Sequence, residues 1–217
     1  MLCWRRLRTA PRARSPDGVA RPPHPLTAAQ LTGVQVPAGA VWHHIFLDRF
    51  ADPLGFGFSA SRFSDPRKTP LRRFGIFYAG QSFEVAFLET VLRDRKNGNP
   101  GALALSESDL DEYVHVAVTT LQPLNVVDLR AGAALALGLP TDALRAASHR
   151  LGQRASLALY QHTDRPDGIW YQSRLNGEDN LAVYDRAVPK LSAGARRQLR
   201  RCPELALVLN RYRVTLV

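Results

Sequence analysis

An apolar run that stops at Gly80-Gln81-Ser82 and resumes at once as a helical pattern constrains this chain more than any other feature. Phe74-Gly75-Ile76-Phe77-Tyr78-Ala79 has the length and aromatic content of a buried strand. Ser82 follows as an N-cap, and Phe83, Ala86, Phe87, Thr90 and Val91 recur at helical spacing, which predicts a helix over residues 83–95. Asn97-Gly98-Asn99-Pro100 ends it. A strand is thus joined to a helix by a turn of three residues, placing Tyr78 and Glu89 on adjacent elements.

The remaining periodicity predicts strands over residues 40–47, 113–119, 124–129, 168–172, 180–184 and 211–217. A helix is expected over residues 142–162, capped by Thr141, and a core helical turn over residues 131–139. Helices and strands are interspersed without a regular βαβ rhythm, and no internal repeat occurs, so the class is α+β. Residues 1–40 are basic, rich in proline and weakly periodic; they read as a loosely ordered extension with one short helix at residues 27–31. The folded domain is then residues 41–217. Within it, residues 52–68 form a long loop rich in Gly, Ser, Pro and Phe, and the phenylalanines Phe50, Phe56, Phe58 and Phe63 argue against disorder.

Composition excludes several function classes. The chain has 217 residues, enough for one ordinary domain with its own core. No run approaches the ~20 apolar residues of a membrane span, and the basic start lacks the apolar core of a secretory signal. The two cysteines, Cys3 and Cys202, stand apart, so no zinc site is expected and a cytoplasmic location is. The net charge of +10 invites a nucleic-acid reading. Nearly all of it is arginine, with lysine only at Lys68, Lys96 and Lys190, and the arginines are scattered. Direct nucleic-acid binding is therefore not the favoured reading; an acidic protein or an anionic small substrate fits better.

Three segments put polar residues where a core would prefer apolar ones. Ser61-Arg62-Phe63-Ser64 closes the Gly/Phe loop, and a guanidinium there suits a phosphate, although a plain surface arginine fits the same pattern. Glu89 is bordered by Val85, Ala86 and Leu92 and is expected to be partly buried, either as a functional carboxylate or in a helix salt bridge to Arg93 at i+4. Ser173 ends the aromatic strand Ile169-Trp170-Tyr171-Gln172 before a polar turn, with no nucleophile elbow around it. Tyr78 on its strand is equally readable as core. Neither a dinucleotide fingerprint nor a phosphate-binding P-loop is present. His43 and His44 are adjacent on a strand, so they point to opposite faces and cannot share a metal.

Together these segments resemble the RES domain, named for its Arg, Glu and Ser. The matching residues are Ser61-Arg62-Phe63-Ser64-Asp65-Pro66, then Ile76-Phe77-Tyr78-Ala79-Gly80-Gln81-Ser82, then Ala86-Phe87-Leu88-Glu89-Thr90, then Tyr171-Gln172-Ser173-Arg174, with Gly177 to Leu181 completing the order. The resemblance spans about residues 41–185. It implies a compact ADP-ribosyltransferase-like α+β fold, with mixed or antiparallel sheets and flanking helices. It further implies a toxin that consumes NAD⁺ without a metal, restrained by a cognate antitoxin.

On that resemblance Glu89 is catalytic, Arg62 acts in catalysis and on the NAD⁺ phosphates, Tyr78 orients the nicotinamide, and Ser173 contacts the nicotinamide ribose. Many members carry an arginine after the strand tryptophan; this chain has His43 after Trp42, so His43 is assigned to NAD⁺ and Arg49 is a second candidate for the missing contact. The acceptor of ADP-ribose, whether water, phosphate or a target protein, is left open by the sequence. The alternative function is a non-catalytic module that keeps the fold and binds a protein or nucleic acid.

Overall fold

The computed structural model describes residue 26 and residues 30–31, 33–96, 98, 100–140 and 142–217. Strands are β1 (Gly33–Val36), β2 (Val41–Leu47), β3 (Ile76–Gly80), β4 (Leu103–Leu105), β5 (Tyr113–Thr120), β6 (Leu124–Asp128), β7 (Gly168–Gln172), β8 (Asp179–Tyr184), β9 (Leu191–Ala193), β10 (Arg197–Gln198) and β11 (Val214–Leu216). Helices are α1 (Phe83–Phe87), α2 (Arg93–Lys96), α3 (Glu107–Asp111), α4 (Ala133–Ala136), α5 (Asp142–Arg145), α6 (Arg150–Tyr160) and α7 (Leu205–Arg211). The class is α+β, as expected.

One mixed sheet runs β1-β6-β7-β8-β3-β2-β5-β10, with β9 also on β5; β6 and β7 are parallel and the other pairs antiparallel. A parallel pair of β11 and β4 stands apart from it. The main sheet already begins with β1, ahead of residue 41, and Leu26 is buried in the core. Most of the short helix expected at residues 27–31 lies outside the described residues.

Alternation along the strands sends side chains to two faces. On one face Val36, Trp42, Phe77, Val116, Leu181 and Leu191 join a cluster drawn almost wholly from the strands, so the sheet curls to fill that face itself. The other face is covered in two blocks. Phe83, Phe87, Leu92, Leu205 and Leu209 form one, over β2 and β5. Phe63, Phe74, Leu159, Ile169 and Tyr184 form the second, over β7 and β8. Between the blocks, β2 and β3 meet at a single rung, His43 opposite Gly80, and elsewhere diverge. The seam so opened is where the polar residues collect.

Two helices depart from the sequence expectation. The helix over residues 83–96 is interrupted by a π turn at Leu88–Leu92. The wider turn shifts the helical register from that point on, and Thr90, expected on the apolar face, is exposed. The helix expected over residues 142–162 is two helices, α5 and α6, broken around His149. At the C-terminus only Val214–Leu216 is strand; the residues before it form α7, whose Leu205, Val208 and Leu209 are buried.

Candidate functional site

The seam is a cleft of about 510 Å³, lined by His43, Ser61, Arg62, Tyr78, Glu89, Arg93, His149, Tyr171, Arg174 and Asn180 among others. This size is ordinary for a site that encloses a small organic ligand. Three segments far apart in sequence supply it, each for a local reason.

The helix wall is set by Ser82. Its hydroxyl accepts from the Val85 N–H at 3.1 Å, capping α1 as expected, and also donates to Glu178, tying the helix start to the turn before β8. Gly80 makes the junction possible: a Cβ there would lie 2.5 Å from Val85 Cγ1 and 3.0 Å from the Ala86 nitrogen. One turn later Glu89 sits inside the π turn, half-buried. Such turns recur at functional sites because they displace one side chain from the helical stripe. Of the two readings of Glu89, the salt bridge to Arg93 does not form: Arg93 pairs with the exposed Asp94 at 3.4 Å, since the wide turn takes the i+4 residue out of line. Glu89 is held instead by Ser173, whose Oγ donates to its Oε1 at 2.6 Å.

Ser173 is itself fixed, accepting from the Leu175 N–H at 3.1 Å, and is 3% exposed. Its hydroxyl proton is therefore committed to Glu89.

The opposite wall is the loop segment Ser61–Ser64. The Tyr78 hydroxyl lies 2.9 Å from Ser61 Oγ and accepts from the Phe63 N–H at 3.1 Å, so the strand tyrosine pins the backbone on both sides of Arg62. Burial pushes the Tyr78 phenol up to about 12, keeping it neutral. Gln153 on α6 donates to the Ser61 carbonyl at 3.0 Å. Gly152 lets α6 approach: a Cβ there would be 2.5 Å from the Arg62 carbonyl oxygen. Arg62 Nη1 donates to the Ala146 carbonyl at 3.0 Å, in the break between α5 and α6. Among the described residues no carboxylate lies within salt-bridge distance of Arg62 or Arg174.

Burial and charge together set the electrostatics of the cleft. Burial, and next the charge of Arg174, lowers the Arg62 pKa. Burial lowers His149 too, and Arg62, Arg93 and Arg174 add to the effect, so the imidazole senses a positive field from three sides. Tyr171, buried against Phe63 at a ring separation of 4.9 Å, is raised well above its usual value by burial and then by the charge of Glu89. Asn180 is 4% exposed, and its Nδ2 has no hydrogen-bond partner among the described residues. A cleft with one fixed carboxylate, a surplus of arginine charge, two neutral phenols and a spare amide donor suits an anionic ligand with an electron-poor reacting centre.

All five residues singled out in the sequence are brought together, in different capacities. Glu89, Arg62, Tyr78 and His43 line the cleft, and Ser173 stands behind Glu89. His43 Nδ1 lies 3.0 Å from His115 Nε2, and the two rings stack. Arg49, the second candidate, is exposed and lies over the ring of Phe50, which lines the cleft, but does not itself line it. The cleft also holds Arg93, named in the sequence only as a salt-bridge partner, Arg174 and Asn180, present there only within motifs, and His149, which was not singled out. Arg174 stood beside Ser173 in the same motif; His149 carried no local signal because the helix break exposing it to the cleft was not foreseen. No described helix is long and apolar enough to cross a membrane.

Known proteins resemble this chain in sequence and in fold. A curated relative, "Probable toxin y4kH" of Sinorhizobium fredii (strain NBRC 101917 / NGR234), is 48% identical over 101 residues, covering 46% of this chain and 80% of that protein. The crystal structure of the M. tuberculosis MbcT-MbcA toxin-antitoxin complex contains a chain of the same fold: TM-score 0.59 at 19% identity, over 82% of this chain and 91% of that one. The RES domain model matches residues 13–209, a stretch that holds the whole cleft from His43 to Asn180. By sequence, the chain belongs to the RES domain family.

Proposed function

We propose that this protein is the toxin of a toxin–antitoxin pair and that it cleaves the nicotinamide–ribose bond of NAD⁺. The observation that carries the reading is the Glu89 carboxylate, fixed by Ser173 at 2.6 Å in a cleft whose arginines lack buried carboxylate partners among the described residues.

Cleavage of that bond passes through an oxocarbenium-like state, as for glycosidic bonds in general. The C1′–N bond breaks with its electron pair going to nitrogen, so nicotinamide leaves as a neutral base and needs no acid. Glu89 stabilises the positive charge that develops on the ribose, and because the Ser173 hydroxyl holds it in place it need not reorganise. Arg62, with Arg93 and Arg174 beside it, binds the pyrophosphate. Tyr78 lines the nicotinamide end, and the Asn180 amide, without a partner among the described residues, offers a donor to the substrate. An acceptor oxygen then attacks C1′ and gives up its proton. Water makes a glycohydrolase, inorganic phosphate a phosphorylase and a protein side chain an ADP-ribosyltransferase. No metal takes part in this scheme.

The toxin assignment draws on the relative named a probable toxin and on the toxin–antitoxin complex of like fold. The partner is a cognate antitoxin covering the cleft, and the net charge of +10 favours an acidic one met in the cytoplasm. The test is nicotinamide release from NAD⁺ by purified protein, alone, with phosphate, and with candidate protein acceptors. Release that rises with phosphate identifies a phosphorylase; label on a protein identifies a transferase. No release under any of the three conditions from folded protein would sink the enzyme reading and favour a binding module.

A further inference from the structure

His43 is not alone in the cleft wall. Its Nδ1 faces His115 Nε2 at 3.0 Å, the rings stack at a centroid distance of 5.2 Å, and Phe83 packs edge-on against His115 at 5.3 Å. A hydrogen bond between two imidazole nitrogens requires one to donate and the other to accept, so the tautomer of each ring is set by its partner. With Nδ1 committed to His115, only Nε2 of His43 remains for the cleft.

The surroundings are those of a pair poised to gain one proton. From the segment before α7, Glu204 acts on both rings through its charge; its Oε2 is shut off from solvent with no hydrogen-bond partner among the described residues. Arg197, opposite His115 across β10 and β5, opposes a positive charge. Cys202 contributes none, its thiol being pushed up to about 11 by burial and next by Glu204. His44 points to the other face of β2, where burial holds it at about 4. Burial likewise lowers His43, and it takes His115 to about 4 with a further contribution from His43 itself, so the empty pair is neutral near pH 7. Among the described residues no group of His, Cys, Asp and Glu is arranged to hold a metal ion.

We propose that His43 and His115 form a proton-dependent anion clamp: the pair is neutral in the free protein and takes up one proton when a pyrophosphate binds against His43. This rests on the reading of the cleft as a dinucleotide site. The entering negative charge favours the imidazolium, Glu204 supplies a fixed counter-charge, and His115 is a positioning residue that shares the proton. Proton uptake on binding requires that affinity fall as pH rises, by up to about tenfold per pH unit for one linked proton. A guanidinium in place of His43 would carry a permanent charge and remove the linkage.

The test is calorimetry of ADP-ribose binding near pH 7 in buffers of differing ionisation enthalpy, which counts protons taken up. ADP-ribose has no group of its own titrating there. Wild type is expected to take up close to one proton; uptake lost in His149→Gln but kept in His43→Gln would assign the proton to the other cleft histidine and overturn the clamp. His43→Gln and His115→Gln are expected to take up none and to bind more weakly at pH 6.5. His43→Arg is expected to bind without proton uptake and without pH dependence, which a merely structural role for the pair would not produce. Binding by the wild type with no proton uptake, or uptake that persists in His43→Arg, overturns the clamp and leaves the dinucleotide reading intact. Absence of any ADP-ribose binding overturns both.

Discussion

Two clusters in this molecule each set arginine beside carboxylate and end in opposite states. At the mouth of β6 and β8, Arg130 is surrounded: Asp128 accepts at 2.9 Å, Asp179 at 2.7 Å, and the Trp170 ring lies 3.8 Å below the guanidinium. Trp170 Nε1 donates to the same Asp179 at 3.0 Å. In the cleft, among the described residues, Arg62 has one backbone acceptor and no carboxylate, while Glu89 has one hydroxyl donor and no arginine within ion-pair distance. Charges that satisfy each other hold strands together, and charges kept apart are left for a ligand. Folding has spent the first cluster on stability and withheld the second.

The contrast can be broken from either side. Arg130→Ala should lower stability by about 2–3 kcal/mol, short of a fully buried pair because the side chain is 26% exposed, and leave turnover per folded molecule unchanged. Denaturant midpoints and nicotinamide release would check both halves; lost turnover at full stability would mean that the two clusters are not distinct. Arg62→Lys should weaken ADP-ribose affinity by about tenfold, since a point charge replaces a planar fork, with little change in stability. A fall in melting temperature like that of Arg130→Ala would show Arg62 to be structural.

Ser173→Ala sharpens the account of Glu89. It should lower kcat several-fold, about 1 kcal/mol, through a carboxylate no longer pinned, with KM nearly unchanged. A change confined to KM would return Ser173 to a ligand contact. The smallest effect is on acid stability. Hydrogen bonds from Arg130 hold Asp128 below its usual 3.8. A depressed carboxylate stabilises the fold above its unfolded pKa, and that contribution is lost as pH falls through the folded one. Between pH 5 and pH 3 the wild type should therefore lose more stability than Arg130→Ala, by about 1 kcal/mol or less after solvent screening. Parallel pH curves would contradict this.

How far the sequence reached also divides along these lines. The strand–turn–helix unit was legible because Gly80, Ser82 and the apolar spacing after it are local signals, and capping occurs where they indicate. Arg62, Tyr78, Glu89 and Ser173 were legible as a group through their motif order and not through any one segment's chemistry. The π turn was not legible, because over a single turn a π and an α pattern of apolar residues nearly coincide; Thr90 was misplaced as a result, and the Arg93 alternative for Glu89 could not be set aside on spacing alone. His149 was hidden by the break between α5 and α6, which the continuous apolar spacing of residues 142–162 does not announce. Nor could spacing distinguish Arg62 from Arg130, since pairing is decided by which strands become neighbours. The His43–His115 contact likewise depends on β2 lying beside β5.

The central claim is that Glu89 acts on the reacting bond and not on the fold or on binding. The most direct measurement is nicotinamide release at saturating NAD⁺ by wild type and Glu89→Gln, with ADP-ribose affinity and melting temperature measured on the same samples. The glutamine is isosteric and can still accept from Ser173, so only the charge is removed. A fall in turnover of about 10²–10³-fold, with affinity and melting temperature nearly unchanged, is the predicted result. Turnover retained within a few-fold of the wild type would contradict it.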